Sequence, residues 1–137
     1  MCAVELARWE IPLILVARDL SRLTSLAYDL EACYGVKCCV LQADLAEPQA
    51  AEKIYQATRQ AGLTVDILVN NAGISSTGLA VDMSLQDVDR MMRVNGLAVA
   101  HLAHLYGKDM KERRRGRIPR THRLALVRSF PGPSRQR

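Results

Sequence analysis

Apolar residues in this chain fall into two patterns: short continuous runs, and longer stretches where they recur every three or four positions. Residues 11–17 form such a run, with the length and composition of a strand buried on both faces. Before it, residues 1–8 carry Val4, Leu6 and Ala7 among polar residues and read as the end of a helix. Asp19 can cap a helix bearing Leu20, Leu23, Ala27 and Leu30 at spacings of three and four, and Gly35 supplies its stop. Residues 36–41 read as a second strand, rich in Val and Cys. Pro48 suits the first turn of a helix over 49–60, which Gly62 ends. Residues 65–69 make a third apolar strand, followed by a polar, Gly-containing turn over 70–78. Ser84 and Asp87 then form a capping-box-like start to a long helix. That helix carries Leu85, Val88, Met92, Leu102 and Leu105 and is expected to reach about Lys108.

Strands separated by helices imply parallel strands joined by right-handed crossovers. The expected fold class is therefore α/β, a Rossmann-like parallel sheet with crossover helices. At 137 residues and 49% hydrophobic, the chain has the size of one modest domain. Its apolar runs are too short to span a bilayer, and its first residues lack a secretory pattern. A cytoplasmic location without membrane contact is the expectation. The cysteines, Cys2, Cys33, Cys38 and Cys39, contain no CxxC pair, which argues against a zinc knuckle. Cys38 and Cys39 would face opposite sides of a strand and are read as reduced, space-filling residues.

Charge divides the chain. Residues 1–110 hold 9 basic and 13 acidic residues, whereas residues 111–137 hold 10 basic residues against Glu112 alone. Two units follow: a partial Rossmann-like domain over 1–112 and a basic tail over 113–137, expected to be disordered. With Phe130 as its only aromatic, the tail reads as a solvated basic run; specific nucleic-acid recognition is not expected.

The most specific motif is Asn70-Asn71-Ala72-Gly73, directly after the predicted strand Asp66-Ile67-Leu68-Val69. Ligands of open α/β sheets bind at the carboxyl ends of strands, where this turn falls. Asn tolerates unusual backbone angles, and Ala72 and Gly73 leave room for close approach to a cofactor. DILVNNAGI in this setting resembles the signature turn of the short-chain dehydrogenase/reductase family, over roughly residues 1–118.

The resemblance implies roles for further residues. Arg18, closing the first strand, resembles the NADP-preferring pattern, in which a guanidinium pairs with the 2′-phosphate; read by itself it could equally begin a solvated loop. Asp44 and Leu45 stand where the family addresses the adenine; Asp44 alone could equally be a loop acid or cap. Asn71, Ala72 and Gly73 would line the cofactor. Asn95, in Met92-Arg93-Val94-Asn95, matches the helix asparagine that helps carry a water-linked proton path toward the catalytic Lys; its alternative is a helix Asn turned to solvent. His101 and His104 lack further ligands at metal spacing, so no metal site is expected.

Other family features are missing. No glycine precedes Gly35, so the TGxxxGxG loop that receives the pyrophosphate is absent, and with it the first strand of the sheet. In the family that strand lies between those at 11–17 and 65–69, so two edges would lack partners. The catalytic YxxxK pair is absent as well: Cys33, Gln49, His104 and Gly107 stand four residues before Lys37, Lys53, Lys108 and Lys111. After Ile118, where a Ser-bearing strand would follow, come Pro119, Arg120, Thr121 and His122, a break suggesting a changed reading frame or alternative exon. The resemblance thus implies an NADP(H)-dependent oxidoreductase moving hydride between a nicotinamide cofactor and a carbonyl or alcohol. This chain is expected to be a truncated form, binding NADP weakly or not at all and inactive alone. The alternative is a non-catalytic fragment that pairs with an intact family member, or with a second copy, through helix 85–108.

Overall fold

The computed structural model describes residues 2–75 and 80–119. Helix α1 spans Cys2–Arg8 and strand β1 spans Leu13–Ala17. Helix α2, Leu20–Tyr34, starts and stops on the expected residues. Asp19 accepts a hydrogen bond from the Arg22 N–H at 3.0 Å, and Gly35 closes the helix in the left-handed region at φ 66°. Strand β2, Cys38–Gln42, lies parallel to β1 in the register Leu13 to Cys38 through Ala17 to Gln42. Helix α3 spans Ala50–Gln60.

Alternation along the strands sends side chains to two cores. Leu13 and Leu15 of β1, with Cys38 and Val40 of β2, pack against Ala7, Leu23, Ala27 and Leu30 of α1 and α2. Val16 and Leu41 point the other way, onto Ala51 and Ile54 of α3 and Leu102, Tyr106 and Met110 of the long helix. Helices therefore cover both faces of a parallel sheet, a partial Rossmann-like α/β fold. Cys38 is half-buried and Cys39 exposed, as opposite faces require.

The long helix consists of α4, Leu85–Met92, a π turn over Arg93–Leu97, and α5, Ala98–Glu112. It thus extends four residues beyond the expected end at Lys108. A short 3-10 turn, Ala80–Asp82, precedes it. Ser84 caps α4 by accepting from the Asp87 N–H at 3.1 Å, while its hydroxyl donates to the Asp87 carboxylate at 2.7 Å. Polar contacts fix α5 to α3. Tyr55 donates to Asp109 at 2.8 Å, and Arg59 reaches both the Tyr55 oxygen and Asp109 at 3.2 Å. Below them the buried Thr58 hydroxyl meets that of Tyr106 at 2.8 Å, and the Tyr55 and Tyr106 rings meet edge to face with centroids 5.3 Å apart.

Two expectations need correction. The third strand, residues 65–69, forms no ladder among the described residues; its pairing there is a single parallel bridge, Ile67 to Arg117. Extended apolar residues become a strand only where a neighbouring backbone satisfies their N–H and C=O groups. Here the neighbour is Arg117, which donates to the Asp66 carbonyl at 2.8 Å and accepts from the Leu68 N–H at 3.0 Å. Pro48, expected in the first turn of α3, lies in the turn before it. Gln49 at φ 58° separates the two and starts the helix without a side-chain cap.

The chain beyond α5 is tied back to this segment. Arg113 donates to the Val65 carbonyl at 2.9 Å, and Asp66 pairs with Arg113 at 3.4 Å and Arg115 at 3.2 Å. Most of the basic tail, residues 120–137, lies outside the described residues, as does part of the 70–78 turn. Among the described residues, no helix is long and apolar enough to cross a membrane.

Candidate functional site

Three loops leave the carboxyl ends of β1, β2 and the Ile67 segment, and every residue assigned a cofactor role from the sequence lies on one of them. The first two are held together by the strand pairing. Ala43 N–H donates to the Ala17 carbonyl at 3.0 Å, and the Gln42 side-chain amide donates to the Arg18 carbonyl at 2.9 Å. The Arg18 side chain is exposed.

Asp44 is the most constrained of these residues. Its Oδ1 accepts from the Ala46 N–H at 2.9 Å, and Arg90 of α4 reaches Oδ2 at 3.0 Å and Oδ1 at 3.4 Å. Burial pushes the Asp44 carboxyl upward, but the Ala46 N–H, Arg90 and the charge of Arg18 together outweigh it and hold the group below the usual carboxylate range. Leu45, beside it, packs into the core between the sheet and α3.

In the third loop Asn71 and Ala72 are exposed and Gly73 is half-buried. The Asn71 N–H closes a tight turn onto the Val69 carbonyl at 3.1 Å. The turn does not use the backbone freedom that asparagine allows: among the described residues, the non-glycine positive φ values fall at Glu10, Gln49 and Arg114. Asn95, in the π turn, is exposed yet engaged. Its Nδ2 donates to the Ile74 carbonyl at 2.7 Å and its Oδ1 accepts from the Ile74 N–H at 2.9 Å. The sequence alternative of an asparagine turned to solvent is therefore not what the structure has.

The long helix thus holds two loops with two side chains, Arg90 on the loop after β2 and Asn95 on the NNAG turn. Sequence reasoning identified Asn95 through its motif and missed Arg90. No local pattern marks Arg90, because its partner is 46 positions away. Among the described residues no cluster of three or more His, Cys, Asp or Glu could hold a metal ion.

A parallel sheet covered by helices on both faces, with its constrained polar residues gathered at the carboxyl ends of the strands, defines an open-sheet α/β protein, the class in which ligands bind at those ends. The family model for short chain dehydrogenases matches residues 1–125. The very-long-chain 3-oxoacyl-CoA reductase of Anas platyrhynchos is 32% identical over 122 residues, which are 85% of this chain and 38% of that protein. A short-chain dehydrogenase from Sphingobium yanoikuyae, solved in complex with NADPH, superposes with a TM-score of 0.77 at 33% identity, over 85% of this chain and 45% of that one. L-Sorbose reductase from Gluconobacter frateurii, solved with NADPH and L-sorbose, gives a TM-score of 0.77 at 28% identity, over 85% of this chain and 44% of that one. The chain belongs to the short-chain dehydrogenase family of oxidoreductases. It spans less than half the length of each of these relatives.

Proposed function

We propose that this chain supplies the adenosine-binding part of an NADP(H)-dependent oxidoreductase that interconverts a carbonyl and an alcohol. The observation that carries the reading is Arg18, an exposed guanidinium on the loop after β1, held beside Asp44 by the strand register. The donor set suits the adenosine end of the dinucleotide. Arg18 offers N–H groups to a 2′-phosphate, and the loop of Asp44 and Leu45 offers a carboxylate and backbone groups to an adenine. Asn71, Ala72 and Gly73 form the adjoining wall, and Asn95 keeps that wall in place through Ile74. When bound, the nicotinamide group would supply the hydride. The solved relatives whose structures contain NADPH support the choice of cofactor.

Calorimetric titration of the chain with NADPH and NADH tests this reading. NADPH should bind more tightly than NADH, and Arg18→Ala should remove about 1–3 kcal/mol of that difference, the worth of one charge-assisted contact. Absolute affinity should be weak, because no glycine precedes Gly35 to let a pyrophosphate approach the backbone. Equal affinity for both cofactors, or an Arg18→Ala variant that keeps the preference, would refute the assignment. No turnover is expected from this chain alone, since no Tyr stands four residues before any of its lysines.

A second reading, a fragment that pairs through the long helix, has its own support. Val81, Leu85, Met92 and Leu97 are large apolar residues left 85%, 83%, 61% and 52% exposed. Asp89, Met92, Arg93, Gly96, Leu97 and Ala100 line an open depression on the same helix. Small residues at Gly96 and Ala100 permit close approach. Asp89 and Arg93, four apart, make the face self-complementary to a second copy running antiparallel, so the partner that fits it is another molecule of this chain. Sedimentation equilibrium should give a dimer that Met92→Lys dissociates; a monomer at all concentrations would end this reading.

A further inference from the structure

We propose that Arg90 is a specificity-determining residue of the nucleotide site: by neutralising Asp44 it allows a 2′-phosphate to settle beside Arg18. The inference rests on the NADP(H) reading above and deepens it.

The strand register sets the problem. Ala17 pairs with Gln42, so the residues that follow, Arg18 on one loop and Asp44 on the other, emerge side by side. Their charges act on each other, since Arg18 is among the groups that favour ionised Asp44. A phosphate drawn to Arg18 would therefore also feel the Asp44 carboxylate, and like charges repel.

Arg90 removes that repulsion. Its guanidinium spans both Asp44 oxygens at 3.0 and 3.4 Å, with both side chains partly buried. The other acids of these loops are paired as well, Asp19 with Arg22 at 3.6 Å and Glu47 with Lys53 at 3.7 Å. Among the described residues Arg18 has no ion-pair partner of its own. The charge balance at the strand ends thus leaves one surplus cation, Arg18, and Arg90 on a distant helix maintains that surplus. Without Arg90, Arg18 and Asp44 would largely cancel, and the added negative charge of a 2′-phosphate would gain little.

The test uses two probes that differ only in the 2′-phosphate, adenosine 2′,5′-bisphosphate and adenosine 5′-monophosphate, titrated at millimolar concentrations and followed by amide NMR shifts. The wild-type chain should favour the bisphosphate by about tenfold, one charge-assisted contact, and lose that preference as salt rises. Arg90→Gln should lower the preference at least fivefold. Arg90→Lys should retain most of it, and adding Asp44→Asn to Arg90→Gln should restore it, because the unopposed carboxylate is then gone. Thermal melts establish that each variant is folded. Should Arg90→Gln not fold, Arg90→Lys and the double variant decide the matter, and loss of preference in both overturns the proposal. An Arg90→Gln chain that folds and keeps the wild-type preference also overturns it while leaving the NADP(H) reading intact. A wild-type chain that binds both probes equally, or neither, overturns both.

Discussion

Asn95 grips both backbone polar groups of Ile74, donating to its carbonyl at 2.7 Å and accepting from its N–H at 2.9 Å. A side-chain amide can do both at once, because its donor and acceptor lie side by side in a plane. Asp or Leu at the same position would forfeit one or both bonds. Asn95→Ala should therefore cost about 1 kcal/mol of stability, at the modest end because the site is exposed. The sharper readout is hydrogen exchange: the Ile74 amide should lose its protection while amides of β1 keep theirs. Unchanged protection at Ile74 would show that the turn holds itself.

Thr58 is the buried polar side chain of the α3–α5 contact, 3% exposed. Its hydroxyl serves both the Tyr55 carbonyl and the Tyr106 hydroxyl. Thr58→Val keeps the shape and deletes the hydroxyl, leaving the Tyr106 oxygen without that partner. Urea denaturation should record a loss of about 1–3 kcal/mol. Combining it with Tyr106→Phe should cost less than the two single changes added together, since both remove the same bond.

Asp44 gives the chain a specific acid sensitivity. Its folded carboxyl titrates below the value it would have in the unfolded chain, since Ala46 and Arg90 outweigh the effect of burial. Its contribution to stability is thus fully present above the unfolded value, about 3.9, and is lost as pH falls through the lower folded value. Carbon-detected NMR titration should place the Asp44 midpoint below that of an ordinary aspartate. Arg90→Gln should move the midpoint upward, and an unmoved midpoint would mean that the ion pair contributes nothing.

Gly116 holds the end of the described chain in place. It sits at φ 143°, and a Cβ there would collide with the Met110 side chain. Gly116→Ala should cost about 1–3 kcal/mol of local strain, relieved by releasing the bridge between Arg117 and Ile67. Trypsin should then cut after Arg115 and Arg117 several-fold faster than in the wild type. Equal cleavage rates would mean that the bridge does not protect these bonds.

Elements defined by local chemistry were legible in the sequence. Asp19, Gly35 and Ser84 each act within four residues of themselves, and all three perform the capping roles that their types suggest. The two strands with ladders were legible for the same reason, as apolar runs between such signals. What escaped depends on distant partners. Residues 65–69 have the composition of a strand, but the composition does not reveal that only Arg117 is present to pair with them among the described residues. The π turn was hidden because its residues keep an ordinary helical composition, and Gln49 because nothing in its type announces a left-handed backbone. The site was half legible. The NNAG turn and Asn95 came from a motif, whereas the ion pair that organises Asp44 joins residues the sequence sets far apart.

The bonds that anchor the long helix reach between 21 and 54 positions back along the chain. The unit of β1, α2 and β2, by contrast, closes on itself within residues 13–42. During synthesis this early unit can therefore assemble first, while Val16 and Leu41, which α3 covers only in part, wait for the rest of their cover until α5, some 60 residues further on, has left the ribosome. Translation at about 5–20 residues per second makes that interval several seconds long. A nascent chain stalled near residue 60 should therefore recruit holdase chaperones strongly, and one stalled well past Glu112 should release them.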